Sequence, residues 1–251
     1  MKVALLSDIH ANLEALQAVL SDAAQLQATH YAGLGDVIGF NGDPAACMQM
    51  VMPLFSVAVR GNHEQALLQR GLFGVPLYTA MMDRTAAMLG TELVNLVRPL
   101  PRKASWHGLT LVHASPAPGE EWQRISTVPE ARTAFTQFEG QLCFYGHTHR
   151  PAIFSKREGK VSIIPVAYDE SGTFSLQLEA ECRYLINPGS VGQPRDLNYR
   201  AAYGLYDEET ATLTLRRVDY NAKAAAEKIS RTGLPESFCA ALLRGQSPTG
   251  D

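Results

Sequence analysis

The sequence of 251 residues lacks the long apolar run that a membrane protein needs. No stretch approaches the about 20 apolar residues that cross a bilayer, and Asp8 interrupts the short apolar run near the start. Only four cysteines are present, and they form no C-x-x-C pair, which argues against a disulfide framework or a zinc knuckle. We therefore expect a cytoplasmic protein that does not insert into membranes.

A strong charge of either sign is also missing. The net charge is -3 and no run of lysine or arginine occurs, so a broad nucleic-acid surface is not expected. The G-x-S-x-G nucleophile turn and the Walker phosphate loop are absent from the sequence as well. With 46% hydrophobic and 19% charged residues, the composition is that of an ordinary globular protein. No repeat or Ser/Gly linker divides the chain, so we predict one α/β domain over residues 1–251.

The first informative stretch is residues 2–10, KVALLSDIH. Its apolar run at 3–6 is typical of a strand that is covered on both faces of a parallel or mixed sheet. Asp8 and His10 follow directly, and on an extended backbone residues two apart point to the same side. A carboxylate and an imidazole would then converge where a metal ion could bind. For this pair alone, a solvated aspartate beside a surface histidine is the alternative.

The same placement recurs along the chain. A helix predicted at 12–28 leads into further strands, and in such βαβ units the carboxyl ends of the strands meet at one edge of the sheet. His30 and His107 have no polar company of this kind, and we interpret them as structural or surface residues. Strands predicted at 29–34, 57–59, 109–112 and 142–145 lead to groups able to bind metal or phosphate, namely Asp36, Asn62, His63, His113, His147 and His149.

The remaining segments suggest how the chain is completed. Residues 64–98 read as a helical excursion broken by glycine and proline, and the methionines near 81–89 indicate core or interface packing. Beyond Pro151, short alternating runs predict mainly antiparallel strands. Two short helices are predicted at 222–245.

In order, the motifs D-x-H, G-D, G-N-H-E, a strand-end histidine and G-H-T-H resemble those of the calcineurin-type metallophosphoesterase superfamily. They span residues 8–149. The stretch at 187–196, NPGSVGQPRD, and the C-terminal helices are similar to the small bacterial and archaeal branch of that superfamily. The resemblance implies a four-layer αββα sandwich with mixed sheets and two metal ions at the end of the sheets.

The resemblance also implies a ligand set. Nitrogen and oxygen ligands without thiolate favour Mn²⁺, with Fe or Zn²⁺ as the alternatives. Glu64 stands where relatives usually carry aspartate, and we expect it to support the loop with little effect on the reaction. One metal would be held by Asp8, His10, Asp36 and His149, and the other by Asp36, Asn62, His113 and His147.

By the same resemblance, Asp36, Asn62 and His63 form the catalytic group. Two cations about 4 Å apart can share and stabilise a hydroxide that attacks phosphorus in line. His63 is predicted to protonate or hydrogen-bond the leaving oxygen, with support of Asn62 as the alternative role. Arg60 and Arg195 are the candidates for phosphate contact, because a guanidinium group matches phosphate oxygens. For Arg60, a structural salt bridge is the alternative.

The expected reaction is hydrolysis of a small phosphodiester or of a nucleotide phosphoanhydride, such as a diadenosine polyphosphate. A protein Ser/Thr phosphatase or a phosphomonoesterase is the alternative within the superfamily. A non-catalytic scaffold of the same fold is a further alternative, which we would expect to have lost metal ligands. Asn41 and Tyr78 are further candidates for residues that line the cleft, and the sequence does not decide between lining and non-lining positions for them.

Overall fold

The computed structural model describes residues 1–119 and 122–248. Within these ranges, two six-stranded sheets pack face to face, and helices cover the outer face of each sheet. The predicted four-layer αββα sandwich is therefore confirmed. The predicted range of 1–251 runs past the described residues at 120–121 and 249–251, and its assignment to one domain stays a prediction. None of the helices described is long and apolar enough to span a bilayer.

The secondary structure follows the predicted order, with element ends displaced by a few residues. The strands are β1 (Lys2–Leu6), β2 (His30–Gly33), β3 (Phe55–Ala58), β4 (Lys103–Trp106), β5 (Leu109–Val112), β6 (Leu142–Phe144), β7 (Ala152–Arg157), β8 (Lys160–Ile164), β9 (Thr173–Gln177), β10 (Arg183–Asn187), β11 (Ala201–Asp207) and β12 (Thr212–Val218). The helices are α1 (Leu13–Gln25), α2 (Pro44–Val51), α3 (Asn62–Leu68), α4 (Pro76–Val97), α5 (Val128–Ala134), α6 (Ala222–Ser230) and α7 (Glu236–Arg244).

The first sheet has the order β3-β2-β1-β11-β12-β9. Strands β1, β2 and β3 run parallel, and β1 also pairs with β11 in the antiparallel sense. The β1-α1-β2 connection is the predicted βαβ unit, because Val3 lies opposite His30 and Leu6 opposite Gly33 in a parallel pair. The loops after these strands therefore begin at the same edge of the sheet.

The second sheet has the order β4-β5-β6-β10-β7-β8. Strands β5, β6 and β10 run parallel, and antiparallel strands flank them on both sides. The antiparallel character predicted beyond Pro151 holds for most of these strands, whereas β10 also pairs in parallel with β6. The loops that follow β5 and β6 leave the second sheet at a common edge.

Strand β1 shows why the central strands are apolar throughout. Val3 and Leu5 pack between the two sheets, where Leu111 and Phe144 face them. Ala4 and Leu6 on the opposite side pack in the layer that contains α1. Both faces are thus buried, as the uninterrupted run of apolar residues predicted.

The predicted helical excursion at 64–98 consists of α3 and α4, which are separated between Leu68 and Pro76, and Gly90 interrupts α4 with φ of 66°. Met81 and Met82 are buried, as predicted, whereas Met88 is 41% exposed. The excursion and the C-terminal helices share an apolar group, here called the outer cluster, that is separate from the core between the sheets. It includes Phe40, Ala66, Met81, Met82, Ala226, Ile229, Phe238 and Leu242.

Candidate metal centre

The polar residues that follow β1, β2, β5 and β6 meet at one edge of the sandwich. His113 from the second sheet places its Nε2 atom 3.3 Å from Oδ2 of Asp36, which follows a strand of the first sheet. All seven candidate ligands lie in this cluster; six are buried, and His147 is half-buried. The predicted gathering of distant residues is therefore what the structure shows.

One part of the cluster consists of Asp8, His10 and His149. Oδ1 of Asp8 lies 3.3 Å from Nε2 of His149 and 3.8 Å from Nε2 of His10. The two imidazole Nε2 atoms are 3.2 Å apart. Three ligand atoms within 4.8 Å of one another can hold one cation.

The other part consists of Asp36, Asn62, His113 and His147. Asp36, His113 and His147 offer ligand atoms within 4.8 Å of one another. Oδ1 of Asn62 lies 2.9 Å from Nε2 of His113. Oδ2 of Asp36 is also 3.7 Å from Nε2 of His10, so this carboxylate lies between the two parts. That is the position a shared ligand needs.

The backbone at these residues differs from the extended geometry expected from the sequence. Strand β1 ends at Leu6 and β6 at Phe144, before the ligands begin. The φ angles are positive at the five candidate ligands Asp8 (52°), His10 (47°), Asp36 (55°), His147 (65°) and His149 (59°). The prediction that alternation along a strand aims Asp8 and His10 was therefore wrong. Left-handed backbone is strained for residues with a side chain and concentrates at functional sites.

Three of the imidazoles are oriented by backbone carbonyl groups. Nδ1 of His10 lies 3.0 Å from the backbone oxygen of Ile38, and Nδ1 of His113 lies 2.7 Å from that of Leu34. Nδ1 of His149 lies 2.6 Å from the backbone oxygen of Gln193. Since a carbonyl only accepts, each Nδ1 must carry the hydrogen and donate it. In the neutral ring, Nε2 then presents its lone pair to the site, which is the arrangement of metal-binding histidines.

The donor set fits cations. Oδ2 of Asp8 accepts hydrogen bonds from the Ser7 hydroxyl (2.6 Å) and the His147 N–H (3.1 Å), whereas Oδ1 is buried and has no hydrogen-bond partner among the described residues. The Nε2 lone pairs of neutral His10 and His149 face each other and this oxygen. A buried group of acceptors without donors is unfavourable unless a positive charge lies among them.

Burial also shifts the pKa values of the ligand side chains. Burial raises the pKa of Asp8 to about 6, although the charge of His113 lowers it. Burial also holds the pKa values of His10 and His149 well below their usual range. For His113, burial lowers the pKa, but the charge and hydrogen bond of Asp36, the charge of Asp8 and the hydrogen bond to Leu34 together raise it to about 10. In the absence of a cation, a proton on His113 thus balances part of the carboxylate charge.

Glu64 connects two of the loops that carry ligands. Its buried carboxylate accepts backbone N–H groups of Asp36 (2.8 Å), Val37 (2.7 Å), Ile38 (3.4 Å) and Gly61 (2.9 Å). The predicted support of the loop is therefore visible in the structure. Gly61 has no side chain for a steric reason, since a Cβ there would collide with the Asp36 carboxylate.

His63 lies at the inner side of the site. Its backbone N–H donates to Oδ1 of Asp36 (2.8 Å), and its Nε2 is 4.0 Å from Oδ2 of the same residue. Burial lowers the pKa of His63 to about 4, although Asp36 raises it. His63, His10 and Asp36 also offer ligand atoms within 4.8 Å of one another. Its predicted role as a proton donor stays a prediction.

A cavity of about 190 Å³ opens above the candidate ligands. Asp36, Asn62, His147 and His149 line one side, together with His63. The other lining residues are Phe40, Phe73, Tyr78, Arg124 and Arg195. The sequence had suggested Tyr78 and Arg195. Phe40, Phe73 and Arg124 were missed, because they lie in irregular segments or turns that carry no motif.

The two arginines proposed for phosphate contact occupy different places. Arg195 lines the cavity, and its guanidinium group lies 5.7 Å from the ring centre of Phe40. Arg60 is not among the lining residues, and its Nε is buried without a hydrogen-bond partner among the described residues. Burial lowers the pKa of Arg60, and the positive charge of Arg102 lowers it further. Asn41 does not line the cavity either, and its side-chain amide donates to the backbone oxygen of His10 (2.8 Å).

The fold and the site together define a class of protein. A sequence profile of the calcineurin-like phosphoesterase superfamily domain matches residues 1–211. The chain belongs to this superfamily. The resemblance drawn from the sequence motifs is thus confirmed.

Individual relatives match over nearly the whole chain. The uncharacterized protein MJ0912 of Methanocaldococcus jannaschii is 32% identical over 250 residues, which cover 97% of this chain and 98% of that protein. The crystal structure of a metallophosphoesterase from Sphaerobacter thermophilus has a TM-score of 0.84 at 32% identity and covers 98% of this chain and 100% of that one. The hypothetical protein PH1004 from Pyrococcus horikoshii, at 19% identity and a TM-score of 0.76, covers 97% of this chain and 98% of its own and shares the fold.

Proposed function

We propose that this protein is a phosphoesterase that uses two metal ions to hydrolyse small phosphodiesters or nucleotide phosphoanhydrides. The observation that carries this proposal is the position of Asp36, whose Oδ2 lies 3.7 Å from His10 in one part of the cluster and 3.3 Å from His113 in the other. A carboxylate that lies between two groups of carboxylate, amide and imidazole ligands suits a pair of cations. Mn²⁺ is the expected ion, with Fe and Zn²⁺ as alternatives.

We assign the ligands as the sequence motifs predicted. Asp8, His10, Asp36 and His149 would hold one ion, and Asp36, Asn62, His113 and His147 the other. When bound, the ions would supply Lewis-acid stabilisation of the phosphoryl oxygens and make water a stronger acid near neutral pH. The chain contributes the fixed orientation of the ligands, since three imidazoles are each tied to a carbonyl group.

We assign two further residues to the substrate. Arg195 lines the cavity, where its guanidinium group could contact the phosphate, so we assign the phosphate contact to Arg195. Arg60 does not line the cavity, and we do not assign this contact to it. His63 lines the same cavity beside Asp36, where its imidazole can donate to the leaving oxygen. Burial lowers the pKa of His63 to about 4, and the negative charge of a bound phosphate would raise it.

The alternatives differ in what the cavity must admit. About 190 Å³ is below the about 300 to 1,000 Å³ of pockets that enclose a whole drug-sized ligand, so the cavity would hold the phosphate and one neighbouring group of a substrate. A phosphomonoesterase would fit the same space and is the second candidate. A scaffold without catalysis is disfavoured because none of the seven residues predicted as ligands is missing from the cluster. The cytoplasmic location stays a prediction.

Metal analysis and a substrate panel test the proposal. Protein loaded with Mn²⁺ should hydrolyse a bis-aryl phosphate and a dinucleoside polyphosphate faster than an aryl monophosphate. Turnover of the monoester alone would favour the second candidate. If the purified protein takes up no Mn²⁺, Fe or Zn²⁺, or turns over none of these substrates when loaded, the proposed function is wrong.

A further inference from the structure

The side of the cavity that faces the candidate ligands is aromatic. It is formed by the rings of Phe40, Phe73 and Tyr78, here called the aromatic wall. Phe73 and Tyr78 are half-buried, so each keeps ring surface accessible beside the cavity, whereas Phe40 is 4% exposed and packs on the imidazoles of His10 and His63. A cavity with acceptors for cations on one side and aromatic rings on the other suits a ligand that carries both a phosphate and a ring.

The rings of the wall are arranged edge to face. The ring centres of Phe73 and Tyr78 are 5.4 Å apart and inclined at 60°, and those of Phe40 and Tyr78 are 6.1 Å apart at 71°. Such tilted pairs leave ring faces available for a further aromatic group, which prefers offset or edge contacts of the same kind. The wall is thus a surface on which a flat ring can pack.

The wall is supported from behind by the outer cluster. Phe238 of α7 packs against Phe40 with ring centres 5.9 Å apart, and the backbone N–H of Phe40 donates to the sulfur of Met81 (3.3 Å). The support comes from helices that belong to neither sheet, and Phe40 also packs on the imidazole of the candidate ligand His10, with ring centres 4.6 Å apart.

The wall also adjoins one particular catalytic candidate. The imidazole of His63 lies 4.6 Å from the ring centre of Phe40 and 5.5 Å from that of Phe73. If His63 donates to the leaving oxygen, the group attached to that oxygen extends along the wall. Arg195 lies over Phe40, which places a cation where a phosphate and a ring would join.

We propose that the aromatic wall is a subsite for a flat ring in the leaving group of the substrate, and specifically for a nucleobase. The inference rests on the proposed function for the position of the phosphate. Every nucleobase offers a π-face, so stacking on the wall selects nucleotides over phosphates of aliphatic alcohols without selecting one base. A cavity of about 190 Å³ leaves the second substituent of a diester outside, so only one side is recognised.

Equilibrium binding tests this subsite without turnover. Adenosine 5′-monophosphate and ribose 5-phosphate differ only in the base, and both are titrated into Mn²⁺-loaded protein by calorimetry. We expect the nucleotide to bind about 5- to 150-fold more tightly, which is the range of one stacked base. Phe73→Leu and Tyr78→Leu keep apolar bulk without a ring, and each should reduce this preference while the affinity for ribose 5-phosphate stays the same.

The matched control is Tyr199→Leu, which removes a partly exposed aromatic ring that does not line the cavity and should leave the preference unchanged. Equal affinity for the two phosphates, or a preference that survives both leucine variants, would overturn the subsite. The metal analysis and the substrate panel decide the proposed function separately. If neither phosphate binds, adenosine and ribose decide the subsite by ligand-observed NMR on metal-free protein. Adenosine binding that is lost in Phe73→Leu would then support the wall, and identical signals for adenosine and ribose would refute it.

Discussion

The floor and the wall of the cavity are built on different principles. The floor consists of six residues that follow central strands of the two sheets, namely Asp8, His10, Asp36, His113, His147 and His149. Positive φ angles at most of these residues, and hydrogen bonds from three of the imidazoles to backbone oxygens, fix the side chains. On the wall, Phe40, Phe73 and Tyr78 come from turns and from α4, and apolar packing in the outer cluster holds them. A site that combines the two can keep its metal chemistry constant while its substrate preference changes. The following experiments test whether floor and wall are independent.

The largest expected effect is that of Asp36→Asn on the floor. An amide donates hydrogens and carries no charge, so the two parts of the cluster lose the carboxylate between them. We expect metal affinity to fall by more than the about 10- to 100-fold seen when only an outer partner of a ligand is removed. Metal stoichiometry after dialysis measures this. The control is Asp207→Asn on β11, where Oδ2 of Asp207 lies 3.7 Å from Nζ of Lys2, and this variant should retain metal.

His63→Ala should separate proton donation from metal binding. We expect kcat for a diester with an alkyl leaving group to fall by about 10² to 10⁴-fold, and kcat for a nitrophenyl diester to fall much less, because a good leaving group needs no proton. The metal content should stay at the wild-type value. Loss of metal in His63→Ala would make His63 a ligand instead, as its distance of 4.0 Å from Asp36 allows. His107→Ala, at an exposed turn, is the control.

The pH dependence of metal binding tests the charge balance on the floor. Since Asp36 and Asp8 help to raise the pKa of His113 to about 10 despite burial, His113 carries a proton in metal-free protein near neutral pH. Metal binding must displace that proton, so the apparent affinity should rise about tenfold per pH unit between pH 7 and 8. Calorimetry in buffers of different ionisation enthalpy counts the protons released. Release of no proton at pH 7 would contradict the charge balance described here.

Glu64→Gln should loosen the floor of the cavity. Glutamine offers one acceptor oxygen where the carboxylate accepts four backbone N–H groups, so buried donors lose their partner. We expect the free energy of unfolding to fall by about 1–3 kcal/mol and metal affinity by about 10- to 100-fold. Glu130→Gln is matched, because Glu130 accepts the N–H groups of Ser126 and Thr127 at the exposed start of α5. Its metal affinity should not change.

The smallest expected effect is that of Phe238→Leu behind the wall. The substitution removes the ring that packs on Phe40 and should cost about 1 kcal/mol of stability, as near-isosteric core changes do. We expect the nucleotide preference to weaken and the metal affinity to stay the same. A change in metal affinity equal to that of Glu64→Gln would show that floor and wall are one unit.

Much of the site could be predicted from the sequence because chemistry and position coincide there. Asp8, Asp36, His113 and His149 follow short apolar runs, and parallel strands bring such positions to one edge. The backbone conformation was not predictable in this way. An alternating pattern favours extended geometry, whereas tertiary hydrogen bonds, such as that from the N–H of His10 to the oxygen of Asp36 (2.9 Å), hold the residues at positive φ.

The arginines and the wall show where sequence reasoning stops. Arg60 lies next to the G-N-H-E motif and Arg195 in a loop rich in glycine and proline, and nothing in either context says which guanidinium group reaches the cavity. Phe40 and Phe73 stand in segments without periodicity, where an aromatic residue is equally compatible with a core position.

The amino-acid sequence by itself determined the order of strands and helices and the set of groups that can bind metal, because local periodicity and residue chemistry are written in adjacent positions. Only the tertiary structure decided how these groups are aimed and which aromatic rings face them. Those features depend on contacts between residues far apart in the chain, such as Phe40 with Phe238, whose free energy no local pattern encodes.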